Sequence, residues 1–251
     1  CLAGASREDE NTLMNNDPFE TDPVLIRAVG YPYDITAHSF TFIAGAEAPF
    51  DPALRAGRRP VIGYGSNQSP LRLRQKYGTD HAPIPVQRAW LDDHDVVFAA
   101  HFAGYGALPA ALRHVPGTRV AVAVTWLSDA ELAVMHPTEI EHYHFARLEG
   151  LTLDLDGGET IDAAWAYLSF RGHVGDDGTP FALSAVAAEG RQYAALSQRE
   201  ALALMRDRIA PDEDLAAFVR AHIDDPDIRA SRVRHLQSAA VPVAHASHKV
   251  E

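Results

Sequence analysis

Alternating and continuous runs of apolar residues predict a series of β-strands in the middle of the chain. The run 39–43 alternates polar and apolar positions, as a half-buried strand does. The other predicted strands lie at residues 61–64, 86–91, 95–102, 119–126, 145–155 and 163–170. Residues 116–118 (Pro-Gly-Thr) predict a turn before the strand 119–126. Residues 156–159 predict a hairpin turn between the last two strands.

Helical signals follow the strands and dominate the end of the chain. Pro70 occupies a suitable first-turn position for a helix over residues 70–77, which Gly78 ends. Two capping boxes, in which a serine is followed three residues later by a glutamate, predict helix starts at Ser128 and Ser197. Residues 212–222 place apolar side chains on one face of a further helix.

The strand-rich middle and the helical end together indicate an α+β protein. We divide the chain into a polar N-terminal arm (1–23), a β-rich domain (24–195), a helical C-terminal extension (196–240) and a tail (241–251). The arm is predicted from its polar composition and from two Asp-Pro pairs, at residues 17–18 and 22–23, which we interpret as breakers. The helical extension could cap a cavity or form the face of a homodimer, and the sequence leaves both open.

The composition is that of a globular protein and excludes several classes of function. Of the 251 residues, 47% are hydrophobic and 22% are charged, and the formal net charge is -12. An acidic chain without a cluster of basic residues does not fit a nucleic-acid-binding protein. No stretch reaches the roughly 18 apolar residues of a membrane helix. The first residues lack an apolar signal core, so we expect a cytoplasmic protein without a membrane partner.

The cysteine content bears on two kinds of site. Cys1 is the one cysteine in the sequence, which excludes intramolecular disulfides and cysteine-rich zinc sites. An N-terminal cysteine could act as a nucleophile with its own α-amine as the base. We favour the alternative that Cys1 belongs to a polar tail, because no other part of such a site can be named.

A short sequence after the second predicted strand carries the clearest chemical signal. Tyr64, Gly65, Ser66 and Asn67 form a turn between this strand and the first predicted helix, and we call them the 64–67 loop. Glycine at position 65 allows backbone angles closed to other residues and leaves the space that a ligand needs. Successive backbone N–H groups in such a turn can face a common anion, and the following helix adds a positive field. The loop is therefore predicted to bind an anion such as a carboxylate, and it lacks the lysine and the glycine spacing of a nucleotide-binding loop.

Four segments of the sequence together match the pattern of a known family. The first is residues 61–67, in which an apolar strand runs into Tyr-Gly-Ser-Asn. Residues 96–112 contain a phenylalanine followed by Pro-Ala-Ala-Leu, and residues 116–120 read Pro-Gly-Thr-Arg-Val. Residues 127–139 form a strand end and a helix that lead to an acidic residue. In this order, the four segments resemble the γ-glutamylcyclotransferase-like family over residues 60–195.

The resemblance implies a small mixed β-barrel with flanking helices. It also implies an enzyme that cleaves a γ-glutamyl amine to 5-oxoproline and a free amine, by attack of the substrate's α-amine on its own γ-carbonyl. Such an enzyme has to bind the α-carboxylate, remove a proton from the α-ammonium group and stabilise the oxyanion. The backbone amides of Gly65, Ser66 and Asn67 suit the carboxylate or the oxyanion. One carboxylate suffices as the general base. The implied partner is a small-molecule substrate with a carboxylate, and neither a metal nor a cofactor is required.

The resemblance places the catalytic base at Glu139 and a substrate-binding tyrosine at Tyr143. This segment departs from the family pattern, which has Asp and Gly where this chain has His136 and Ile140. Glu141 therefore remains a second candidate for the base. If Glu139 is instead a solvent-exposed acid at a helix end, the protein is better described as a non-catalytic, carboxylate-binding member.

Two other chemistries are weaker alternatives. His136, His142 and His144 flank the two glutamates and could ligate a metal together with one of them. The pattern is short, so we expect ordinary surface or hydrogen-bonded histidines and no metal site. Ser66 lies among glycines, but the residues after it do not supply the glycine that a nucleophile elbow requires.

Overall fold

The computed structural model describes residues 17–245 and the backbone of residues 248–250. The helices in these residues are α1 (Pro18–Thr21), α2 (Pro23–Val29), α3 (Pro70–Tyr77), α4 (Asp129–Met135), α5 (Gln198–Ile209), α6 (Leu215–Asp224) and α7 (Pro226–Ser238). Short 3-10 turns lie at Pro52–Arg55, Ser66–Gln68 and His136–Thr138. In the described part of the chain, every helix is too short or too polar to cross a membrane.

The longer strands are β1 (Phe40–Ile43), β2 (Ala46–Pro49), β3 (Arg59–Gly63), β4 (Ile84–Phe98), β5 (Ala110–Leu127), β6 (Tyr143–Leu155) and β7 (Thr160–Ser169). The short strands are β8 (Gly175–Asp176), β9 (Thr179–Pro180), β10 (Ala182–Leu183), β11 (Ala188–Glu189), β12 (Ala195–Leu196) and β13 (His248–Val250). Strands β8 and β9 form a separate two-stranded sheet, and the remaining strands belong to one sheet.

Five strands of the large sheet close into a barrel. Their order is β5-β3-β7-β6-β4, and β4 pairs with β5 to complete the ring. The pair β3 and β7 is parallel, whereas the other four pairs of the ring are antiparallel. The predicted α+β class, with a small mixed β-barrel, flanking helices and a helical C-terminal extension, is confirmed.

The predicted strands 86–91 and 95–102 belong to one long element, β4, which ends at Phe98, so that residues 99–102 lie beyond it. A bulge in the facing strand β5 interrupts the pairing, with residues 115–118 opposite Asp93. The register of β4 against β5 shifts between Asp92 and His94, and Asp93 has a φ of 56°. The predicted turn at residues 116–118 is wrong, because these residues lie within β5. The N–H group of Gly117 donates to Asp93 Oδ1 at 2.7 Å. The two polar interruptions therefore face each other across one hairpin, and neither reverses the chain.

The starts of the helices follow local capping chemistry. Ser128 and Ser197 form the predicted capping boxes at α4 and α5. In the predicted arm, the two Asp-Pro pairs begin helices rather than end them: Asp17 caps α1, Asp22 caps α2, and a proline follows in each first turn. The rest of the predicted arm, residues 1–16, lies outside the described residues.

Helices pack on the barrel through two clusters of buried side chains. Leu25 of α2, Leu202 of α5 and Phe218 of α6 belong to the larger cluster, together with the barrel interior. Leu73 of α3 and Leu132 of α4 belong to the second cluster, which also contains side chains of β1. The C-terminal extension therefore packs beside α2 on one side of the barrel, and α3 and α4 pack on the other cluster.

Part of the predicted tail also contacts the barrel. The backbone of Val241 pairs with His173, and β13 pairs with β6. Residues 246, 247 and 251 lie outside the described residues.

Candidate active site

The 64–67 loop leaves the barrel at the end of β3 and leads into α3. Its second half forms one 3-10 turn, closed by the N–H of Gln68 donating to the carbonyl of Gly65 at 3.1 Å. The N–H of Ser69 donates to the carbonyl of Ser66 at 2.9 Å. Because the turn begins at Ser66, the N–H groups of Ser66 and Asn67 have no partner within the turn. The N–H of Ser66 also faces the phenol oxygen of Tyr31, so the N–H of Asn67 is the donor more readily available to the predicted anion site.

Gly65 is required for a close approach rather than for a left-handed backbone. Its φ is -119°, which is negative. A Cβ atom at this position would collide with the phenol oxygen of Tyr31 and would lie 3.0 Å from the Cβ of Ala110. Tyr31 cannot move away freely, because its oxygen accepts the N–H of Ala110 at 2.8 Å. The space left by the missing side chain is therefore filled by Tyr31. The sequence alone suggested a ligand in this space.

Glu139 follows the 3-10 turn His136–Thr138 and directs its carboxylate towards the 64–67 loop. The side chain is 14% exposed. Its Oε1 atom accepts a long hydrogen bond of 3.4 Å from Asn67 Nδ2 and a bond of 3.1 Å from Thr138 Oγ1. The same oxygen forms an ion pair with the Lys76 ammonium group. The structure thus joins the predicted base directly to the predicted anion loop.

Lys76 is a site residue that the sequence interpretation missed. It lies in the last turn of α3, and its side chain is 1% exposed. Burial lowers the pKa of Lys76, and the negative charge of Glu139 opposes this shift. Leu73 and Tyr77 are buried on the same helix. Leu73, three residues before Lys76, places the lysine beside the buried face, but the charge of a lysine makes it count as solvent-facing in a polar pattern.

The predicted site residues line one cavity of about 220 Å³. It brings together the whole 64–67 loop, Glu139 and Tyr143. Further walls come from residues that the sequence did not single out, including Tyr31, Arg72, Tyr105 and Tyr167. This volume lies below the usual range of about 300–1,000 Å³ for ligand pockets, so the cavity suits a small molecule.

The two predicted tyrosines shape the cavity with their rings. The hydroxyl of Tyr64 donates to the carbonyl of Tyr167, and the hydroxyl of Tyr143 donates to the carbonyl of Ala110 at 2.9 Å. Burial raises the pKa of both phenols, and the charge of Glu139 adds to the increase. Both groups are therefore neutral at physiological pH and already donate their hydrogens to the backbone.

The alternative base, Glu141, lies at the rim of this cavity. Its side chain is 82% exposed, and its carboxylate lies 3.6 Å from His142 Nε2. A solvated carboxylate of this kind is a weaker candidate than the buried Glu139, because water competes for its hydrogen bonds. The alternative nucleophile, Cys1, lies outside the described residues.

The histidines of the metal alternative have other contacts. His136 Nδ1 and the Tyr167 hydroxyl lie 2.9 Å apart. The ring of His142 lies 4.1 Å from that of His101, measured between centroids, and His144 is exposed. Across residues 17–245, no group of three or more His, Cys, Asp or Glu side chains is arranged to hold a metal ion.

A larger and more open groove of about 880 Å³ lies elsewhere on the barrel. Its walls include Arg88, Trp90, Arg119 and Asp154. Arg119 donates to Asp154 at 2.7 Å, so part of its charge is already compensated. The smaller cavity is the better candidate for an active site, because it combines a buried carboxylate with the amides of the 64–67 loop.

Comparisons with known proteins find similarities among solved structures. No protein-family model matches the sequence, and no curated protein matches it. The chain is similar to a solved structure described as gamma-glutamyl cyclotransferase, with 12% identity and a TM-score of 0.37, over 77% of this chain and 93% of that chain. It is also similar to the crystal structure of an uncharacterized protein from Homo sapiens, with 13% identity and a TM-score of 0.38, over 78% of this chain and 94% of that chain. Neither similarity assigns an activity to this chain.

Proposed function

We propose that this protein is a γ-glutamylcyclotransferase-like enzyme that cleaves a γ-glutamyl amine, or a similar N-acyl amine. The observation that carries the proposal is the shared cavity of Glu139 and the 64–67 loop, in which Asn67 contacts the Glu139 carboxylate. A carboxylate pointing to solvent would have favoured a binding protein without catalysis. The buried position of Glu139 supports the enzyme instead.

The proposed reaction needs one proton carrier and one oxyanion site. Glu139 takes a proton from the substrate's α-ammonium group, and the free α-amine attacks the γ-carbonyl carbon. A new C–N bond closes the five-membered ring, and the negative charge moves to the former carbonyl oxygen. In this proposal, backbone amides of the 64–67 loop stabilise this negative charge. The bond to the leaving amine then breaks as Glu139 returns its proton to that amine. The ring nitrogen still carries a second proton, which passes to the Glu139 carboxylate and then to solvent, and the products are 5-oxoproline and the free amine.

The test is mass spectrometry of γ-glutamyl peptides and γ-glutamyl amines incubated with wild type and Glu139→Gln. We expect 5-oxoproline from the wild type and a loss of about 10²- to 10⁴-fold in the variant, the usual contribution of a general base. Glu141→Gln is the matched control, because it removes an exposed carboxylate two residues away. It should keep the wild-type rate. Equal 5-oxoproline release by Glu139→Gln and wild type would exclude Glu139 as the base.

One observation favours a second candidate function, a non-catalytic protein that binds a small carboxylate. The Glu139 carboxylate already has a cationic partner in Lys76, so one of its oxygens is engaged before any substrate ammonium group arrives. If no γ-glutamyl compound yields 5-oxoproline, calorimetric titration with 5-oxoproline and with glutamate would decide. Binding that is lost on Asn67→Ala would support the binding protein, and absence of binding would exclude it for these ligands.

A further inference from the structure

Lys76 and the 64–67 loop belong to one continuous segment. The loop leads into α3, and the last turn of α3 places Lys76 Nζ against the Glu139 carboxylate. Asn67 contacts the same Oε1 atom from the start of the segment. Asn67 at the start of the segment and Lys76 at its end therefore contact the same carboxylate oxygen. A change at either residue would move the carboxylate relative to the loop.

Resting on the function proposed above, we propose that Lys76 is a positioning residue, which keeps Glu139 ionised and directed at the 64–67 loop. A carboxylate that is 14% exposed and has no cation beside it would take up a proton more readily than one in water. A protonated Glu139 could not accept the proton of the substrate's α-ammonium group. Among residues 17–245, Glu139 is the one carboxylate that forms an ion pair with Lys76. The lysine therefore neutralises no other carboxylate in this part of the chain.

Several titratable groups around this pair keep a constant charge near neutral pH. Burial raises the pKa of six tyrosines whose phenols also respond to the charge of Glu139, namely Tyr31, Tyr64, Tyr77, Tyr105, Tyr143 and Tyr167. The guanidinium group of Arg72 on α3 also lines the cavity. Burial lowers the pKa of His142, which favours its neutral form. A change in the titration of Glu139 that appears in Lys76→Met and is absent from Lys76→Arg is therefore attributed to the charge of the lysine.

The direct test is carbon-13 NMR of the glutamate carboxyl groups, with the Glu139 signal identified by its absence from Glu139→Gln. In the wild type and in Lys76→Arg we expect this signal to report the ionised form at pH 7, because both side chains carry a positive charge. In Lys76→Met the midpoint should rise by about 1–3 pH units, the usual effect of losing an adjacent opposite charge. An unchanged midpoint in Lys76→Met would overturn the proposal. If Lys76→Met does not fold, a protonated Glu139 in the wild type at pH 7 would still overturn it.

The pH dependence of kcat/KM supplies a readout that a purely structural role would not move. In Lys76→Met, the acidic limb of the kcat/KM profile should shift to higher pH by the same amount as the NMR midpoint. In Lys76→Arg, this limb should lie at the same pH as in the wild type. A uniform loss of activity at every pH, without a shift of the limb, would contradict the positioning role. The NMR measurement needs no turnover. If the wild type releases no 5-oxoproline, the proposed function fails while the relation between Lys76 and Glu139 is still decided.

Discussion

Acid should weaken the contact between the C-terminal helices and the wall of the candidate cavity, and His222 is the group responsible. This side chain of α6 is fully buried and stacks on Phe102, with ring centroids 4.3 Å apart. Its Nε2 lies 3.2 Å from the carbonyl of Gly106, and its Nδ1 lies 3.3 Å from Arg232 Nη1. Because a guanidinium group only donates, Nδ1 has to accept, and Nε2 carries the hydrogen donated to Gly106. Gly106 adjoins Tyr105, which lines the cavity.

The magnitude follows from the pKa of His222. Burial lowers it from 6.5 to about 4; Arg232 adds to the decrease, and the bond to Gly106 opposes it. Between these values the unfolded chain binds a proton that the folded protein does not, so the free energy of unfolding falls as the pH falls. One pKa unit corresponds to about 1.4 kcal/mol, which gives about 3.4 kcal/mol for the full difference. About 1.8 kcal/mol of it is lost between pH 7 and pH 5.

Urea unfolding followed by circular dichroism at these two pH values measures the effect. His222→Gln removes the titration while its amide can still donate to Gly106. We expect the wild type to lose about 1.8 kcal/mol more than this variant between pH 7 and pH 5. His38→Gln is the control, because the His38 side chain is 72% exposed, and it should follow the wild type. If His222→Gln loses as much stability as the wild type, the buried imidazole is not the source of the acid sensitivity.

Two further predictions concern the candidate site itself. Replacing only Lys76 (with Met) or only Glu139 (with Gln) should lower the free energy of unfolding by about 3–5 kcal/mol, since the other charge stays buried. In urea unfolding the double variant should lose less than the sum, and strictly additive losses would contradict an energetically coupled pair. Gly65→Ala should cost about 1–3 kcal/mol, because the new methyl group meets Tyr31. Gly104→Ala is its control, since a Cβ there meets no atom within 4 Å, and equal losses in thermal or urea unfolding would remove the steric explanation.

The features that the sequence predicted correctly have local physical causes. The capping boxes at Ser128 and Ser197 involve residues three apart, so the pattern contains both partners of each hydrogen bond. The start of α3 at Pro70 likewise depends on one residue and its fixed φ. The placement of Glu139 beside the 64–67 loop came from the resemblance to a family, and the structure brings these residues into one cavity.

The features that the sequence interpretation missed depend on contacts between distant segments. The bulge in β5 lies opposite Asp93, whose carboxylate accepts the N–H of Gly117, and neither residue alone distinguishes a bulge from a turn. The reason for glycine at position 65 is Tyr31, which approaches from a segment more than thirty positions earlier. A charged residue such as Lys76 counts as solvent-facing in any polar pattern, and only its partner makes its burial stable.

The departure from the family pattern at Ile140 leaves the candidate site intact. Glu139 has a φ of -122°, and its carbonyl accepts the N–H groups of His142 and Tyr143, both at 3.1 Å. These bonds close a turn in which Ile140 is 60% exposed. Ile140 is not among the described residues with a positive φ, so this turn needs no glycine. The direction of the Glu139 carboxylate is set instead by Lys76 and Asn67, which both contact it from the loop and helix that precede β4. Ile140 therefore occupies a position that faces solvent. We expect the geometry of the site to depend instead on the ion pair between Glu139 and Lys76.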